Sequence, residues 1–162
     1  GLHLMLRRKA CRLLARAGGR PRALVYVDAL VPRPGESWSS THTPEVQAER
    51  LATAAAHDQA LPPPDPSAFG LDGADREWLR RRQVPHPFGM YREPVHYDAA
   101  AWAALPRWFI DCPAPALPTI AESRRRVRAE PGWTVREIAT GHCPMVSTPD
   151  ALVAWLREAA GG

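Results

Sequence analysis

Residues 133–156 read WTVREIATGHCPMVSTPDALVAWL, and this stretch decides the fold. Trp133, Val135 and Ile138 stand among polar residues in a run of β-favouring types, which predicts a strand over 133–139. Thr140-Gly141 breaks that run. Thr148 is placed as N-cap before Pro149 at the first helical position. Leu152, Val153, Leu156 and Ala159 then give an apolar face that ends at Gly161-Gly162. His142 therefore sits on a short loop between a strand and a helix. Such a histidine has two readings, a solvent-exposed or locally hydrogen-bonded side chain and a functional base, and spacing alone leaves both open.

Upstream, Arg107-Trp-Phe-Ile-Asp-Cys112 reads as a strand, and TIAESRRRVRAE, about 119–130, as the helix after it. The order strand, helix, strand, helix from 107 to 160 is the βαβ pattern of a parallel sheet. Earlier still, Arg22-Ala-Leu-Val-Tyr-Val-Asp28 is a near-continuous apolar run, expected of a strand buried on both faces of such a sheet. LHLMLRRKACRLLARA, residues 2–17, has helix-forming composition and stops at Gly18-Gly19. The fold class is α/β, with three parallel strands at 23–28, 107–112 and 133–139 and flanking helices.

Between the first two strands the pattern changes. Helices are expected at about 44–57 and 73–83, with a short piece at 98–104, and Leu61-Pro-Pro-Pro-Asp-Pro66 cannot be helical. Some 70 residues without a strand is too long for an ordinary connection, so this segment is expected to be a helical cap insertion. The chain divides accordingly into core at 1–34, cap at 35–105 and core again at 106–162.

Composition narrows the classes. The 21 basic and 17 acidic residues are spread along the chain, so the net charge of +4 does not argue for nucleic acid. Arg80-Arg81-Arg82 and Arg124-Arg125-Arg126 lie beside acids in predicted helices and read as solvated faces. Three widely spaced cysteines, Cys11, Cys112 and Cys143, fit reduced thiols of a cytoplasmic protein better than a disulfide framework. No apolar run reaches the roughly 20 residues of a membrane span, and no membrane association is expected. A metal site on His142, Cys143 and Cys112 lacks ligand spacing, and no cofactor is expected.

GHCPMVSTPDALVAWL resembles the last loop and helix of the α/β-hydrolase superfamily, where a Gly-His pair before a Pro-led helix carries the triad histidine. ALVYVDALVPRPGESW resembles the strand after the nucleophile helix, LPPPDPSAFGLDGADREWLRRRQVPHPFGMYREPV the helical cap, and LPRWFIDC the strand returning to the sheet. Within the superfamily the likeness is to small esterases and hydroxynitrile lyases related to plant methyl-ester hydrolases. It covers roughly residues 20–160, which look like the C-terminal half of such an enzyme.

The resemblance implies a serine carboxylic-ester hydrolase with a Ser-His-Asp type triad, His142 as base and an ester-like small molecule as substrate. The family's Gly-x-Ser-x-Gly elbow is absent, so the chain alone is expected to be inactive. Leu6-Arg7-Arg8 stands near the place where Tyr-Gly-Gly commonly follows the nucleophile, and a one-nucleotide shift converts the one into the other. For the acid, the family's usual place reads Cys112-Pro113-Ala114-Pro115. Asp28 is the alternative, with a turn aspartate as its other reading; Asp111 is weaker, inside a strand. Trp38, Phe69, Trp78, Phe88 and Met90 are candidates for an apolar substrate pocket or for cap core. The second functional class is a non-catalytic domain binding a small ligand, a second copy or a complementing chain at an open sheet edge.

Overall fold

The central strand is β4 (Arg107–Asp111), flanked by β1 (Leu24–Val27) and β5 (Trp133–Glu137) in the order β1-β4-β5, all parallel. The structure is a computed structural model that describes residues 21–161; the helix expected at 2–17 and Leu6-Arg7-Arg8 lie outside them. Register sets Tyr26 beside Phe109 and Phe109 beside Val135. Because side chains alternate along a strand, these three share one face, packed on Val31, Ile120 and Val127. The other face carries Val25, Val27 and Ile110, packed with Cys112, Ile138, Leu152 and Trp155. Two helices cover the two faces. Val127 belongs to α5 (Ala121–Ala129), while Leu152 and Trp155 belong to α7 (Pro149–Ala160). This is a partial α/β-hydrolase arrangement of three parallel strands with flanking helices. β1, read as buried on both faces, has half-buried residues throughout, since among the described residues it pairs only with β4.

Details of the last loop depart from the sequence pattern. A short helix α6 (Pro144–Ser147) precedes α7, and Thr148, at the N-cap position, makes no side-chain cap. Its hydroxyl donates instead to the Pro144 carbonyl at 3.4 Å. Val153 and Leu156 are exposed, so Trp155, not they, joins Leu152 on the sheet.

The segment between β1 and β4 holds α1 (Pro44–Ala56), α2 (Gly73–Arg80), α3 (Phe88–Arg92) and α4 (Ala99–Ala103). It also holds a two-residue antiparallel ladder, β2 (Ala60–Leu61) with β3 (His86–Pro87), which the Pro-rich sequence conceals. Thr43 caps α1 and Asp98 caps α4. Ala54, Leu61, Phe88 and Tyr91 form its own small core, with Trp38 packed against them. The Trp38 ring meets Tyr91 at 5.2 Å and His86 at 5.5 Å, and His42 Nδ1 lies 2.8 Å from the Tyr91 hydroxyl.

Candidate active site

Backbone hydrogen bonds carry the sheet past its strand ends and bring three loops to one rim. The Asp28 amide donates to the Ile110 carbonyl at 2.7 Å, Ile138 N–H to Asp111 O at 2.9 Å, and Ala114 N–H to Thr140 O at 2.9 Å. Asp28 turns there with φ +40°, a left-handed conformation that aspartate adopts more readily than most residues. Its side chain is completely buried. Burying a carboxylate is costly unless its oxygens are bonded, and all of its partners are remote in sequence. Oδ1 accepts from Cys112 N–H at 3.2 Å and Arg124 Nη2 at 2.7 Å, and Oδ2 lies 2.8 Å from His142 Nδ1. A turn aspartate would bond its own loop; Asp28 reaches the residue that follows β4, α5 and the loop after β5. Since an ionised carboxylate only accepts, Nδ1 carries the proton, which leaves Nε2 of a neutral imidazole with its lone pair.

Arg124 was unmarked in the sequence, being read as part of a solvated face. Its side chain is only 12% exposed, against 72% for Arg125. Nε donates to Asp111 Oδ1 at 2.6 Å, Nη1 to Leu117 O at 2.7 Å, and Nη2 to Asp28. Burial works against its charge, but the Asp111 and Asp28 carboxylates outweigh that and raise its pKa. Asp111 is occupied by Arg124 and by Arg128, whose Nη2 is 2.6 Å from Oδ2, so the structure places it among the arginines and not at His142. Arg126 pairs bidentately with Glu36, at 2.8 and 2.9 Å. The signal lay in helical spacing: positions 124 and 128 share a face and turn toward the strand end, while 125 points away.

The histidine loop is wedged from the segment between β1 and β4. A Cβ on Gly141 would run into the Phe69 carbonyl, so glycine permits the close approach. The Phe69 ring centroid is 5.1 Å from that of His142. Of the five apolar pocket candidates, Phe69 is the one with a ring contact to His142. Trp38 and Phe88 pack in that segment's core, Met90 is half-buried, and Trp78 is 42% exposed beneath the Arg82 guanidinium. A cleft of about 330 Å³ opens elsewhere, between Arg33, Tyr97, Trp102, Glu130 and Trp133.

Neither neighbouring thiol is primed. Burial pushes Cys112 up to about 12 and Cys143 up to about 11, so neither is a thiolate near neutral pH. Three serine hydroxyls are engaged elsewhere: Ser37 bonds Ser39, Ser123 accepts from the Val31 amide, and Ser147 bonds Thr140. Among the described residues no cluster of three or more His, Cys, Asp or Glu is arranged to hold a metal ion. Among them, too, no helix is long and apolar enough to cross a membrane.

The sheet order and its two helical layers match part of the α/β-hydrolase fold. It is 31% identical over 140 residues to a carbendazim hydrolyzing esterase of Nocardioides sp. (strain SG-4G), covering 81% of this chain and 58% of that one. Among solved structures it superposes on an extracellular α/β-hydrolase from a Paenibacillus species with a TM-score of 0.69 at 15% identity. That protein is described as sharing structural and functional homology with tobacco salicylic acid binding protein 2. A pyrethroid hydrolase gives 0.57 at 18% identity. These superpositions cover 90% and 93% of this chain but 64% of each neighbour, so the chain spans about three fifths of its relatives. No family model matches it.

Proposed function

We propose that this chain supplies the base and acid of a serine carboxylic-ester hydrolase, with His142 as general base and Asp28 as the residue that holds it. The observation that carries the reading is the 2.8 Å contact between His142 Nδ1 and the fully buried Asp28 carboxylate. In triad logic the acid fixes the imidazole tautomer and steadies the imidazolium, while Nε2 takes the proton of a serine hydroxyl. The esterase and pyrethroid hydrolase relatives support an ester-like substrate. The serine and the oxyanion N–H groups are assigned to a Gly-x-Ser-x-Gly elbow that this sequence does not contain, and the chain by itself is expected to be inactive. The test is hydrolysis of short-chain p-nitrophenyl esters by the purified chain beside a His142→Ala variant. No turnover by either is expected; turnover abolished by the substitution would show that a nucleophile outside the elbow context serves His142.

A second reading is favoured by the open edge of β1, which among the described residues pairs on one side only. There the fold serves as a non-catalytic domain whose edge takes a second copy or a complementing chain. Sedimentation would separate the two, since this reading requires self-association or capture of a partner that covers β1.

A further inference from the structure

Arg124 ties the rim's two buried carboxylates together, and we propose that it is a positioning residue, setting the orientation of Asp28 toward His142 and the charge that His142 meets. The inference rests on the Asp28–His142 reading given above and deepens it. Asp28 can present its free oxygen in one direction only if the other is pinned. Arg124 Nη2 and the Cys112 amide pin Oδ1, which turns Oδ2 to His142 Nδ1. Arg124 is itself fixed, because its planar fork also reaches Asp111 and the Leu117 carbonyl. Lysine, a single point charge on a flexible stem, cannot satisfy three acceptors at these separations.

The charges follow a definite order. Arg124 from α5 bonds Asp28 directly, and through it the pair is linked to Asp111 from β4, to Arg128 from α5, and to Glu137 from β5, which bonds Arg128 at 2.6 Å. The Cys112 and Cys143 thiols are held neutral by burial, and Phe69 is uncharged. With Asp28 included, three carboxylates stand against two guanidinium groups, and Arg124 is shared between Asp28 and Asp111. Removing Arg124 therefore leaves Asp28 more attractive to the imidazole proton. Neutralising Asp111 has the opposite effect, since it leaves the whole Arg124 charge to Asp28.

This opposition makes the test. The His142 ring protons are followed by NMR during a pH titration of the folded 162-residue chain and of Arg124→Gln, Asp111→Asn and Asp28→Asn variants. The pH at which the imidazole takes up its second proton is expected to rise by about one unit in Arg124→Gln and to fall in Asp111→Asn. Shifts in the same direction, or no shift in either variant while Asp28→Asn moves the titration, would overturn the role of Arg124 and leave the pair intact. A titration untouched by Asp28→Asn would instead remove the Asp28–His142 reading, and the proposal with it. Should Arg124→Gln not fold, the near-isosteric Asp111→Asn decides alone, and a titration that fails to fall overturns the proposal.

Discussion

The rim around Asp28 and the aromatic core of the segment between β1 and β4 bury polar groups in opposite ways. At the rim each oxygen of Asp28 and Asp111 is bonded, and Arg124 serves both carboxylates. In the segment between β1 and β4, Trp38 Nε1 and His86 Nε2 are buried with no partner among the described residues, while His42 Nδ1 meets the Tyr91 hydroxyl. An unmet buried donor or acceptor costs roughly 1–3 kcal/mol, whereas a fully met network specifies one geometry. The difference teaches where this chain is built for precision and where it is built for packing.

The hardest way to break the contrast is Arg124→Met, which takes the shared guanidinium away from two buried carboxylates. A loss of about 3–5 kcal/mol in urea unfolding is expected, the cost of breaking a buried pair on one side; a loss near zero would mean that the network does not form in solution. Next comes Gly141→Ala. Its methyl group meets the Phe69 carbonyl, and overpacking of this kind costs about 1–3 kcal/mol by the same measurement. A neutral result would detach the Phe69 turn from the histidine loop.

Mild acid sharpens the comparison from the other side. Burial lowers the pKa of His42 below its ordinary value of 6.5. The unfolded chain therefore takes the proton first, and the stability present above about pH 6.5 drains as pH falls from there toward the folded value. The limiting slope for one such proton is about 1.4 kcal/mol per pH unit. Urea midpoints at pH 7.5 and 5.5 are expected to fall less for His42→Gln than for the parent. Glu36 acts lower. Its hydrogen bond to Arg126 depresses its pKa, so its contribution is complete above the ordinary 4.5 and is lost as pH drops through the folded value. Glu36→Gln should flatten the stability profile below about pH 4.5. The smallest effect is expected for Trp38→Phe, which removes a buried N–H that has no partner among the described residues: within about 0.5 kcal/mol of the parent, or slightly stabilising.

Periodicity and turn residues made the sheet legible. Trp133, Val135 and Ile138 marked β5 and its exit, and the long apolar run 23–28 marked β1, because strand alternation and β-propensity are local properties. The short ladder Ala60–Leu61 with His86–Pro87 was hidden, since two residues rich in Pro carry no period. His142 was legible as a loop histidine from Thr140-Gly141 and Pro149, and Asp28 as a residue at a strand end. What no spacing gave was their contact across 114 residues of sequence. Arg124 was masked by its neighbours Arg125 and Arg126, since composition sees three arginines where the helix sees three directions. The apolar candidates are a related case. Aromatic residues in a Pro-rich segment mark some core, and of the five Phe69 is the one with a ring contact to His142.

The account turns on Asp28 holding His142 in one tautomer, and ¹⁵N chemical shifts of the His142 ring test that most directly. At a pH where the imidazole is neutral, the parent is expected to carry its proton on Nδ1, and Asp28→Asn to lose that preference. Equal tautomer populations in the parent, or a preference that survives Asp28→Asn, would contradict it.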